Sequence, residues 1–197
     1  MRYEEFLQKE QFDLAELIAF SYGRLVDDPP AHFDARLPAP PFLMVDRITE
    51  IRQEGRSGRV LAEQDIRLDA WYFQCHFPDD PVQPGCLGLD AIWQLLGFYC
   101  VWRGALGAGR ALGCESVEFD GQIRPHNRLV TFSIDVRRFH QSRQNVGTCT
   151  VIADAGISVD GEPVAAVKKA RSGVFPNIAY KDYPRAGSHR KFRSNQP

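Results

Sequence analysis

A chain of 197 residues with 44% hydrophobic and 25% charged residues has the make-up of one ordinary globular domain, which excludes a mainly disordered polymer. A net charge of −1 excludes a whole-chain polyanion binder, and the basic residues that stand apart, Lys181, Arg185, Arg190, Lys191 and Arg193, gather at the C-terminus. Five cysteines, few and odd in number, read as thiols in a reducing compartment rather than as a disulfide scaffold.

The opening run MRYEEFLQKEQFDLAEL carries acids where a secretion signal has a basic start and an apolar stretch, so a cytoplasmic location is expected. Over residues 3–22, Phe6, Leu7, Leu14, Leu17 and Ile18 recur with loose helical spacing, and Asp13 followed by Glu16 is a cap for the second half. The proline-laden DDPPAHFDARLPAPP is neither helix nor central strand. Residues 1–41 therefore form a helical segment and connector, part of a single domain spanning 1–177, with 178–197 as a basic, flexible tail.

Strand-like runs follow at FLMVDRITEI (42–51) and RVLAEQDI (59–66), around the turn-like QEGRSG, and then at ALGCESVEF (111–119), RLVTFSIDVRRF (128–139), GTCTVIADAGIS (147–158) and VAAVKKARSGVF (164–175). In the fourth run Val130, Phe132, Ile134 and Val136 alternate with Thr131, Ser133, Asp135 and Arg137, which is the period of a strand with one wet face. Asp160-Gly161 reads as a hairpin turn. Between the strands, residues 85–103 are apolar on nearly every side; the stretch holds Asp90 and Gln94, falls short of a bilayer span, and reads as an enclosed helix. Pro84 suits the residue before its first turn and Gly104 its end. Gly85, Gly88 and Gly97 cost helix stability and make sense where backbone or substrate approaches closely. The expected class is α+β, an antiparallel sheet around a long central helix.

The densest cluster of unusual residues runs from Trp71 to Cys86, with Pro78, Pro81 and Pro84 stiffening the loop. His76 begins this loop, and an imidazole, whose reference pKa is about 6.5, is a natural general base. Asp90 lies on the apolar helix beyond; a desolvated carboxyl group holds its proton and can act as an acid. Gln94, one turn on, is placed to hydrogen-bond that carboxyl. The first N–H groups of the helix, at Gly85 and Cys86, lack intrahelical acceptors and suit the oxygen of a thioester carbonyl as it gains enolate charge. A base, an acid and an oxyanion site fit proton abstraction beside a carbonyl with loss of a β-hydroxyl. From these residues alone a structural role for the histidine remains open beside the catalytic one. Cys75-His76 with Cys86 lacks the paired spacing of a zinc site, so no metal is expected, and Trp71, Trp93 and Trp102 read as core or tunnel lining. No nucleic-acid signature is present.

The run CHFPDDPVQPGCLGLDAIWQLLGFY resembles, nearly position by position, the signature of the β-hydroxydecanoyl-ACP dehydratase/isomerase family of bacterial fatty acid synthesis. LPAPPFLMVDRI upstream, GRALGCESVEFDGQIRP downstream and the later SGVF extend the likeness over roughly residues 10–177. The resemblance implies a hot-dog fold and a homodimer whose shared active sites take the histidine from one subunit and the aspartate from the other. It matches His76 to the catalytic base, Asp90 to the catalytic acid, Gly85 to the N–H that holds the thioester carbonyl, Gln94 to the partner of the acid, and Val82 to the carbonyl that orients the imidazole. It implies a 3-hydroxyacyl chain of about ten carbons on the phosphopantetheine of acyl carrier protein, dehydrated to the trans-2-enoyl thioester and then isomerised to cis-3, with no other cofactor. Arg137, Arg138, Arg143, Lys169 and Arg171 are candidates to receive the acidic carrier. The alternatives are dehydration without isomerisation in a specialised lipid or polyketide-like pathway, or a thioesterase or acyl-binding module on the same fold. RPHNR, FHQSRQ, AAVKKAR and the tail depart from the family pattern and leave chain length and isomerisation open.

Overall fold

Two short helices open the chain because its apolar residues come in two separate clusters. The computed structural model describes residues 1–176 and 178, so the tail expected at 178–197 lies, but for Ile178, outside the described residues. Helix α1 (Tyr3–Gln8) and helix α2 (Leu14–Ser21) replace the single loose helix of the sequence reading. Asp13 caps α2 as expected: its carboxylate accepts from Glu16 N, and the Glu16 side chain accepts from Asp13 N at 3.0 Å. Phe6, Phe12 and Phe20 turn inward and meet Phe98, with ring centroids 5.8, 4.9 and 5.0 Å from it. The connector then runs without helix or strand to residue 46.

The strands are β1 (Arg47–Glu54), β2 (Ser57–Asp65), β3 (Ala108–Gly113), β4 (Ser116–Phe119), β5 (Leu129–Gln141), β6 (Cys149–Val159) and β7 (Glu162–Phe175). They form one antiparallel sheet in the order β1-β2-β5-β6-β7-β3, with β4 also paired to β7. Three expectations need correction. Residues 42–46 are not strand, because the backbone of Phe42 and Met44 bonds to the Gln94 side chain instead of to a neighbouring strand. The first hairpin turn is tighter than QEGRSG: β1 runs on through Gln53 and Glu54, and Gly55, at φ +62°, makes the reversal. The run at 111–119 is two strands, separated at Cys114-Glu115 just after a register slip against β7 between Ala111 and Gly113, where Gly113 has φ +120°. Asp160 and Gly161 both have positive φ, 50° and 93°, as the expected two-residue hairpin turn requires.

Helix α3 (Gly85–Trp102) lies against the inner faces of β5, β6, β7 and β3, which is the expected α+β hot-dog arrangement. Val130, Phe132, Ile134 and Val136 are all buried beneath it, so the period-two reading of β5 holds. At 18 residues α3 is long and apolar enough to cross a membrane, contrary to the expectation from its length, yet 67% of it is buried inside the fold. Sheet burial on this scale accounts for its hydropathy.

Candidate active site

The loop that carries His76 is tied down before it turns. Trp71–Gln74 form a 3₁₀ turn whose Tyr72 and Phe73 side chains are buried, and His76 N donates to Tyr72 O at 2.8 Å. Burial, together with the nearby Asp46 carboxylate, pushes the Tyr72 phenol up to about 12, so it stays neutral. Phe77 N donates to Asp80 O at 3.0 Å, and Arg124 pairs with the Asp80 carboxylate, closing the loop. Val82 N then donates to His76 O at 2.8 Å, while His76 Nδ1 lies 2.9 Å from Val82 O. A carbonyl only accepts, so Nδ1 carries a proton, and in that tautomer the lone pair is on Nε2. The imidazole is half-buried and stacks on Phe77 at 4.1 Å.

Asp90 sits half-buried in the second turn of α3. Gln94 Nε2 donates to Asp90 Oδ2 at 2.7 Å and to Phe42 O at 2.9 Å, and Gln94 Oε1 accepts from Met44 N at 3.1 Å. The amide thus reaches from the helix to the connector and fixes one carboxyl oxygen; Asp90 Oδ1 has no hydrogen-bond partner among the described residues. Asp90, Trp93, Gln94, Gly97 and Phe98 line a cavity of about 380 Å³ whose rim includes Arg36 and Arg110. His76 is not among the residues that line this cavity.

Pro84 is the N-cap of α3, and Gly85 and Cys86 open the helix on an exposed face. The Phe119 ring from β4 lies over Gly85, where a Cβ would come within 2.7 Å of it, and a Cβ at Gly88 would lie 3.0 Å from Ile157. Those two glycines are places of close approach. Gly97 is not, since a Cβ there would meet nothing within 4 Å; it borders the cavity instead. Of the tryptophans, Trp102 is core, Trp93 lines the cavity and donates from Nε1 to Arg171 O at 3.0 Å, and Trp71, 42% exposed, lines a second cavity of about 440 Å³ with Leu14, Ile18 and Met44.

The five basic candidates lie on or beside the outer face of β5–β7. Arg137 Nε donates to Asp154 Oδ2 and Lys169 N to Asp154 Oδ1, both at 2.9 Å, and the Lys169 ammonium pairs with Glu115. These contacts, the Lys169 N–H foremost and Arg137 next, hold the Asp154 carboxyl below the usual carboxylate range. Arg138 and Arg171 both pair with Ile152, on either side of β6, and Arg143 is in the exposed loop after β5. Arg138, Arg143 and Arg171 make no ion pair among the described residues. Among those residues, too, no three His, Cys, Asp or Glu side chains gather as a metal-binding group.

Sequence reasoning missed a buried amide pair, Gln64 and Gln83, behind the loop. A signal existed: Gln64 continues the inward alternation of Val60 and Ala62 on β2, where an apolar residue belongs. The connector backbone at Phe42 and Met44, which anchors Gln94, carried no signal because backbone atoms have no sequence identity.

Residues 37–168 match the model of the FabA-like domain family, and the chain belongs to that family. Among solved structures, an inactive mutant of the CurJ dehydratase in complex with a compound superposes with a TM-score of 0.53 at 15% identity, over 87% of this chain and 51% of that one. The dehydratase heterocomplex ApeI:P from Xenorhabdus doucetiae gives 0.46 at 12% identity, over 78% and 90%. A hypothetical thioesterase with coenzyme A from Streptococcus pneumoniae gives 0.44 at 18% identity, over 66% and 88%. At these identities the likeness is one of fold.

Proposed function

We propose that the protein is a 3-hydroxyacyl thioester dehydratase in which His76 is the base and Asp90 the acid. The observation that carries this reading is the His76 Nδ1–Val82 O bond of 2.9 Å, which leaves Nε2 as a proton acceptor. Nε2 takes a proton from C2 of the acyl chain, and the electron pair moves toward the thioester carbonyl, whose oxygen is held by the Gly85 and Cys86 N–H groups. Asp90, protonated on Oδ1 and steadied at Oδ2 by Gln94, gives its proton to the C3 hydroxyl. Water leaves and a C2–C3 double bond forms. These steps call on no metal or redox group.

The separation of His76 from the Asp90 cavity supports a homodimer in which each site borrows one residue from the partner. The acyl chain, about ten carbons long, enters on the phosphopantetheine of acyl carrier protein. Arg138, Arg143 and Arg171 keep charge available for that acidic partner, whereas Arg137 and Lys169 spend theirs on Asp154 and Glu115. The same acid–base pair serves a subsequent trans-2 to cis-3 isomerisation.

The test is turnover of 3-hydroxydecanoyl-ACP with products resolved as trans-2-enoyl, cis-3-enoyl or free acid. Enoyl product is expected, with His76→Ala and Asp90→Asn each lowering the rate at least roughly a hundredfold. Trans-2 product alone removes the isomerase step, and free acid alone overturns the reading in favour of a thioesterase.

A further inference from the structure

Two glutamines are buried where β2 passes behind the catalytic loop. Gln64 is 7% exposed and Gln83 4%, and Gln83 Nε2 donates to Gln64 Oε1 at 3.4 Å across 19 residues of sequence. Gln83 Oε1 is buried with no hydrogen-bond partner. Burying amides and leaving one acceptor unmatched opposes folding, so the pair is not explained by stability. Its position offers another explanation. The Val82 carbonyl and the Gln83 N–H belong to one planar peptide unit. At one end of that plane Val82 O accepts from His76 Nδ1 at 2.9 Å; at the other Gln83 N donates to Ile123 O at 2.9 Å. The next residue, Pro84, is the N-cap of α3, with φ fixed at −53°. Whatever holds the Gln83 side chain therefore sets the tilt of the plane that faces His76.

We propose that Gln64 and Gln83 form a matched clamp that positions the Val82 carbonyl and, through it, holds His76 in the Nδ1-protonated tautomer. Gln83 is a positioning residue; it acts through Val82 and does not touch the reacting atoms. Replacing one member leaves the other amide buried without its partner, and the loop shifts to relieve it. Replacing both with apolar residues of similar volume removes the mismatch. The clamp deepens the reading of His76 as the base and rests on it for its catalytic consequence.

The experiment follows the imidazole nitrogens of the full chain by ¹⁵N NMR, which needs no turnover, alongside kcat and KM on 3-hydroxydecanoyl-ACP. In Gln83→Met the share of Nδ1–H tautomer is expected to fall and kcat to drop about tenfold with KM nearly unchanged. The double variant Gln64→Leu/Gln83→Met is expected to regain most of both, so that the two substitutions couple. An unchanged tautomer share in Gln83→Met, or a double variant whose loss equals the product of the single losses, overturns the clamp. A tautomer shift with kcat intact supports the clamp and instead removes His76 from the chemistry.

Discussion

Gln94 Nε2 stands 2.7 Å from Asp90 Oδ2, and the same amide accepts from Met44 N, so the proposed acid is joined to the connector through one buried side chain. Gln94→Leu keeps the volume but leaves the Met44 N–H and the Phe42 carbonyl unmatched. It is expected to cost about 1–3 kcal/mol of stability, read by urea unfolding. It also frees the Asp90 carboxyl to rotate, and kcat is expected to fall by about tenfold or more. Wild-type kcat in this variant would show that Asp90 needs no orienting partner.

The N-terminal segment is held by aromatic contact. Phe98, 1% exposed, meets Phe6, Phe12 and Phe20 from beneath, and Phe98→Ala is expected to cost about 3–5 kcal/mol. Limited proteolysis should then cut first within residues 27–41, where no regular structure protects the backbone.

Gly107 admits no side chain. A Cβ there would lie 2.1 Å from the backbone of Phe175, which cannot swing aside as a side chain does. Gly107→Ala is expected to destabilise by about 1–3 kcal/mol and to lower the midpoint of thermal unfolding. Gly97→Ala, with nothing within 4 Å and a helical backbone that favours alanine, is the contrasting control and should unfold later than the wild type, by up to about 1 kcal/mol.

Asp154 links β5 and β7 by accepting from Arg137 and from Lys169 N. Its carboxyl titrates below the usual range when folded, so its contribution is full above the unfolded value of about 3.9 and is lost as pH falls through the lower folded value. Asp154→Asn is expected to destabilise by at most about 1 kcal/mol near neutral pH, because the group is partly solvated. The gap between variant and wild type should close as the pH drops below about 4; a gap that persists there would show that the carboxylate charge is not what matters.

Much of the fold is legible because its signals are local. The β5 alternation, the Asp160-Gly161 turn, the Asp13 cap and the apolar run of α3 each depend on residues within a turn or two of one another. The misread places depend on distant partners. Residues 42–46 look like strand until Gln94 claims their backbone, and both pieces of 111–119 take their pairing from β7, far along the chain.

The candidate site divides the same way. The residue types at His76, Gly85, Asp90 and Gln94, and the stiff proline loop between the first two, are properties of the sequence, since spacing along a loop and a helix follows from local geometry. The family resemblance already points to the Val82 carbonyl at His76 Nδ1, but only the tertiary structure decides that Phe119 covers Gly85, that Met44 N and Phe42 O hold Gln94, and that Gln64 reaches Gln83. Those relations are made by backbone carbonyls and by side chains brought together from separate strands, and short-range pattern carries no record of either.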